Sequence, residues 1–192
     1  MGSYQMGEST MDANKNAFVL RPDRAKVAYR KRQPFGMLQD IFSPGVLNLD
    51  EREELWVPQA EGVWFRPLIF GVSQGYYINL LRVRTSGVLS RHRHAGPVHA
   101  ITLRGRWRYL EHDWEAVPMS YAFEPPGETH TLVVPDDVSE MITFFHVTGG
   151  YVYVDPDGNA LGYEDVFTKL EAARKHYEAV GLGEHFADSL KR

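Results

Sequence analysis

Between Trp56 and about Val154 the chain is a succession of short apolar or alternating runs separated by Gly, Pro and Asp: VWFRPLIF, YYINLLRV, HAITLR, RWRYLE, SYAFEP, THTLVV, MITFFHV and GYVYVD. Each has strand length and is rich in β-branched and aromatic residues, which pack well on a pleated surface. With no helical segment between them, the runs predict an all-β sandwich or closed barrel and argue against a parallel α/β sheet. Upstream, SPGVLNLDEREELWVP reads as a loop with a brief acidic helical turn. Downstream, DPDGNALG carries turn chemistry. Val166, Leu170, Ala173 and Tyr177 then recur at helical spacing with Gly181 as a stop, which predicts one amphipathic helix closing the domain. The expected layout is a flexible N-terminal arm over 1–34, a β-barrel over 35–160, and a C-terminal helix and tail over 161–192.

Composition narrows the function classes. The chain has 192 residues, with 21 Lys and Arg against 25 Asp and Glu, so its net charge of -4 supplies no field for nucleic acid or an anionic membrane. The basic run of Arg24, Lys26, Arg30, Lys31 and Arg32 lacks interleaved aromatics and reads as a solvated arm. Small molecules are the expected partners. Without cysteine there is no disulfide, and any metal must be held by nitrogen and oxygen donors. Cysteine usage and the polar start, Met1 to Asn16, point to the cytoplasm. The opening MGSYQMGEST reads as an added tail, with Met6 or Met11 as the native start.

Five of the eight histidines, His92, His94, His99, His112 and His130, fall between positions 92 and 130. In an extended SRHRHA, residues two apart project from one face, so His92 and His94 can converge on one ion. EPPGETH adds a Pro- and Gly-bound turn that presents His130 at a set angle at the start of another strand. Three imidazoles make an open site with positions left for water, oxygen or substrate. Two residues compete for a fourth position: Glu111, reading as inward-facing with Trp107 and Tyr109, and His99. If His99 does not ligate, it is expected to touch a ligand or the substrate. His112 is expected to face solvent, and His146 to face the interior. Trp64, Phe65, Tyr77, Trp107, Tyr109, Phe123 and Phe144 are candidate walls of an apolar pocket.

These elements resemble the paired motifs of the cupin superfamily, G-x5-H-x-H-x3-4-E-x6-G and G-x5-P-x-G-x2-H-x3-N, through Gly87, His92, His94 and Gly105, and through Pro125, Gly127 and His130. Gly87 is one residue too close to His92, His99 stands where the glutamate would be, and Met119 and Val134 replace the outer Gly and Asn. Longer strings, WVP, VWFRPL, NLLRV, RHRHAGPVHAITLRGRWRYLEHDW, FEPPGETHTLV and DGNALGYEDVFTKLE, are similar in order and spacing to the 2,4'-dihydroxyacetophenone dioxygenase family over Trp56 to Tyr177. The resemblance implies a single-domain jelly-roll barrel and non-haem Fe(II), with Zn, Ni or Mn able to replace it. It further implies cleavage of an aryl α-hydroxyketone by O2 to an aryl carboxylate and formate, without 2-oxoglutarate. Substrate contacts are expected from His99, Tyr109, Trp107, Phe123 and His146, and the chemistry runs through the metal with no separate base assigned. The alternatives are a dioxygenase for a β-diketone or flavonol-type substrate and a metal-binding regulatory cupin. A homodimer or homotetramer is expected.

Overall fold

The computed structural model describes residues 27–192, and its order follows the predicted alternation. Eleven strands run β1 (Val57–Ala60), β2 (Val63–Gly71), β3 (Tyr76–Val83), β4 (Gly87–His94), β5 (Val98–Arg104), β6 (Arg108–Tyr109), β7 (Tyr121–Glu124), β8 (Thr129–Val134), β9 (Met141–Thr148), β10 (Tyr151–Val154) and β11 (Ala160–Glu164). Two helices follow, α1 (Val166–Ala179) and α2 (His185–Asp188). Residues 27–39 belong to a separate unit and contain no helix or strand. The rest of the expected arm, through residue 26, lies outside the described residues. No described helix is long and apolar enough to cross a membrane.

The strands form two antiparallel sheets, ordered β1-β2-β3-β9-β5-β7 and β11-β10-β4-β8-β6, which together make a jelly roll. The core lies on their inner faces, where Phe65, Val98, Trp107, Leu132, Met141 and Phe145 are buried together. The outer face of the six-stranded sheet is also apolar along β3 and β9. Leu49 and Trp56, which flank the predicted acidic turn, a 3-10 turn at Glu53–Leu55, cover Leu80 and Ile142 there. Arg82, on that same outer face, lies 4.3 Å from the Trp56 ring and donates to both oxygens of Glu53 at 2.7 and 2.8 Å.

Three elements depart from the expected pattern. The short edge strand β1 begins inside the segment whose sequence predicts a loop. The sheet also continues past the expected boundary at 160, because β11 pairs with β10 after a turn in which the Asp155 carboxylate accepts from the Asp157 and Asn159 backbone N–H groups. The helix starts only after Asp165, whose carboxylate accepts from the Phe167 and Thr168 N–H groups while Thr168 Oγ1 accepts from the Asp165 N–H. Its predicted stripe of Val166, Leu170, Ala173 and Tyr177 is buried, and Tyr177 donates its hydroxyl hydrogen to the Leu55 carbonyl. Lys169 is buried on the same stripe.

Gly105 follows β5 at φ +67°, and a Cβ there would lie 2.2 Å from the Glu140 carbonyl oxygen. Gly87 has φ +89° with open space around it. Gly105→Ala should therefore cost about 2 to 4 kcal/mol and Gly87→Ala about 1 kcal/mol in urea unfolding. Equal losses would show that only the backbone angle matters at Gly105.

Candidate metal centre

Register brings the histidines together. On β4, His92 and His94 face inward with Arg93 outward, as expected for residues two apart. On the adjacent β8, His130 lies directly opposite His92. The His92 and His94 rings are 4.7 Å apart, and His92 Nε2 is 3.2 Å from His130 Nε2. All three side chains are buried, and each offers a nitrogen within 4.8 Å of the others.

Two of the rings are fixed by neighbours. Ser90 Oγ lies 3.0 Å from His92 Nδ1, and the Tyr109 ring stacks on His130 at 3.6 Å with an 8° interplanar angle. Behind His130, Glu128 pairs with His112 at 2.7 Å. Burial, with His94 and His130 close by, holds the His92 imidazole well below its ordinary pKa. Burial also takes His130 down to about 4, although Glu124 pulls the other way. Both are neutral near pH 7, the form that donates a lone pair to a metal.

The residues fit a metal ion on the chemistry of this cluster. Convergent imidazole nitrogens buried away from water need a shared proton or a cation. Two nitrogens each about 2.1 Å from one ion stand about 3.0 to 3.4 Å apart at octahedral to tetrahedral angles, which brackets the His92–His130 separation. Next to them is Glu124, 2 % exposed, with Oε2 3.2 Å from His94 Nε2 and 3.5 Å from His130 Nε2. Its Oε1 accepts from the Tyr109 hydroxyl at 2.7 Å, while Oε2 has no hydrogen-bond partner. Burial, together with this carboxylate, holds the Tyr109 pKa well above its ordinary value, so Tyr109 remains the donor.

Several expected site residues lie elsewhere. Glu111 is exposed, because β6 ends at Tyr109 and the chain turns. Both its oxygens accept from Thr131, from the backbone N–H at 2.7 Å and from Oγ1 at 2.8 Å. His99 fails for parity: Val98 is the inward residue of β5, and His99 points outward to the Tyr121 hydroxyl at 2.8 Å. His146 and Phe123 share that outer face, His146 as the outward neighbour of inward Phe145. Trp107 is buried in the core, with Nε1 donating to Thr102 Oγ1 at 2.9 Å, and stands behind Tyr109. Of the expected substrate contacts and pocket walls, Tyr109 and Tyr77 line the cavity, together with His92 and His94.

The carboxylate comes from a strand that sequence spacing did not connect to the histidines. Glu124 lies opposite Val98, so β7 places its side chain beside the inward position that β5 fills with valine. The available signal was an acidic residue at the inward end of SYAFEP, directly before the PPG turn. The centre opens on a cavity of about 260 Å³ that also includes Tyr151 and Tyr153, which pair across from His94 and His92.

Changing both His92 and His94 to Ala should abolish stoichiometric metal binding, whereas Glu111→Gln should leave it unchanged, as read by metal analysis of protein purified without chelators. A metal-poor Glu111→Gln variant would return that carboxylate to the centre. In metal-free protein, the lowered pKa values of His92 and His130 mean that the unfolded chain takes up protons first. The stability they allow is complete above pH 6.5 and declines as pH falls towards about 4. Thermal midpoints should fall across that window, and a flat profile would contradict burial of neutral imidazoles.

Residues 46–151 match the family model described as the ChrR cupin-like domain, which spans more than half of the chain. No curated protein matches the sequence. Among solved structures, an RmlC-like cupin protein from Ralstonia eutropha is similar at 29% identity and TM-score 0.63, over 66% of this chain and 83% of that one. A protein of unknown function with a cupin-like fold, also from Ralstonia eutropha, is similar at 24% identity and TM-score 0.60, over 62% and 75%. An acetylacetone dioxygenase from Acinetobacter johnsonii shares the fold at 17% identity and TM-score 0.59, over 76% and 97%. The chain, with its jelly roll and inward histidines, therefore belongs to the ChrR cupin-like domain family of the cupin superfamily.

Proposed function

We propose that this cupin is a non-haem Fe(II) dioxygenase of the 2,4'-dihydroxyacetophenone dioxygenase type, cleaving an aryl α-hydroxyketone with O2 to an aryl carboxylate and formate. The observation that carries the reading is a buried cluster of three convergent imidazoles, two of which, His92 and His94, line a cavity that also has apolar walls. The bond between the carbonyl and hydroxymethyl carbons breaks, and each acid product takes one oxygen atom from O2. Iron held by His92, His94 and His130 would supply Lewis acidity towards a chelating ketone and redox chemistry towards O2.

The remaining work falls to this chain's own side chains. An α-hydroxyketone gives up a proton to become an electron-rich enediolate. Glu124 Oε2, buried and unpartnered beside His94 and His130, is placed to take it. The Tyr109 hydroxyl holds the other oxygen and keeps the carboxylate aimed at the centre. Leu81, Leu89, Leu132, Phe145 and Val147 line the cavity, give the aryl ring an apolar seat and exclude water from the reacting end.

Aerobic incubation of the Fe(II) protein with 2,4'-dihydroxyacetophenone should consume O2 and release formate in equal amounts. Glu124→Gln should lower kcat by about 10²- to 10⁴-fold with iron content retained. Cleavage of β-diketones or flavonols in place of hydroxyketones would transfer the site to that class. Full iron occupancy with no turnover across such a panel would favour the regulatory role.

A further inference from the structure

The cavity has a second polar end that the metal centre does not use. Lys169, 3 % exposed on the buried stripe of α1, lines it. Its Nζ donates to Gln59 Oε1 at 2.6 Å, stands 3.2 Å from Glu164 Oε2, and lies 4.4 Å from the Phe65 ring centroid. Gln59 Nε2 donates in turn to the Tyr153 hydroxyl at 3.3 Å, and that oxygen is 3.4 Å from the Tyr151 hydroxyl. The Tyr151 ring is 4.7 Å from His92. A polar seam therefore runs along the cavity wall from the imidazoles to the C-terminal helix.

An ammonium on the apolar stripe of a helix costs burial that leucine would not. Gln59 and Glu164 account for two of its three N–H donors, and because Lys169 lines the cavity a ligand there can take the third. We propose that Lys169, Glu164 and Tyr153 form a second subsite that receives a phenolic hydroxyl on the substrate's aryl ring, remote from the chelating ketone. The identity of that ketone end rests on the dioxygenase reading above; the subsite itself rests on the seam. Lys169 and Glu164 form an electrically balanced pair, which suits a neutral hydroxyl: its oxygen accepts from Nζ and its hydrogen goes to Glu164 or Tyr153. A carboxylate in the same place would meet the Glu164 charge.

Calorimetry on the Zn(II)-loaded protein tests this without turnover, comparing 2,4'-dihydroxyacetophenone with 2-hydroxy-1-phenylethanone, which lacks the ring hydroxyl. Wild-type protein should bind the hydroxylated ketone about 10- to 100-fold more tightly. Lys169→Met should bring that ratio near unity and leave the unsubstituted ketone bound as before. Glu164→Gln, at a partly exposed position, keeps the test open if Lys169→Met does not fold: it should tilt preference towards a ring carboxylate by about tenfold. A wild-type ratio near unity overturns the subsite. So does a ratio that survives in folded Lys169→Met, which would leave Lys169 as a tether between helix and barrel.

The probe p-cresol, which has no chelating arm, separates this proposal from the dioxygenase reading. Lys169-dependent binding of p-cresol with no ketone cleaved would sustain the subsite and remove the reaction. Cleavage of both ketones with equal kcat/KM and no p-cresol binding would do the reverse.

Discussion

Three imidazoles and a carboxylate buried in one apolar barrel must satisfy one another or a cation, and the arrangement of this protein follows from that constraint. His92, His94, His130 and Glu124 are nearly inaccessible, yet Glu124 Oε2 has no hydrogen-bond partner and two imidazole nitrogens stand 3.2 Å apart. A cation would relieve the crowding of the imidazoles by accepting their lone pairs, with Glu124 Oε2 left beside it. The same burial keeps His92 and His130 neutral, so the chain arrives at the ligand form of the ring through desolvation.

The sheets hold this geometry by pairing. β4 is an interior strand, flanked by β8 and β10, so its two histidines are braced on one side by His130 and on the other by Tyr151 and Tyr153. Tyr109 connects the parts, stacking on His130 while its hydroxyl holds Glu124 from the opposite sheet. The His130 ring and the neighbouring carboxylate are thus fixed by one side chain. The C-terminal helix reaches the other end of the same cavity through Lys169, so the cavity has the histidines and Glu124 at one end and the Lys169, Gln59 and Glu164 side chains at the other.

The sequence by itself determined the fold class, the positions of most strands, the helical stripe and the facing of His92 and His94. All of these depend on local periodicity: two residues per strand repeat and 3.6 per helical turn. The PPG turn before His130 was legible for the same reason, since it is set by backbone preferences within a few residues. Only the tertiary structure decided which carboxylate joins them. Glu111 looked inward on an extended β6, but that strand stops at Tyr109 and the side chain is captured by Thr131. His99 occupied the expected motif position with the wrong parity, and the inward place opposite Glu124 belongs to Val98. Lys169 was hidden in a helical stripe whose apolar members explained it well enough. Glu124 and Lys169 reach the cavity through cross-strand register and helix docking, between segments far apart in the chain, and such relations are set by global packing that local periodicity does not encode.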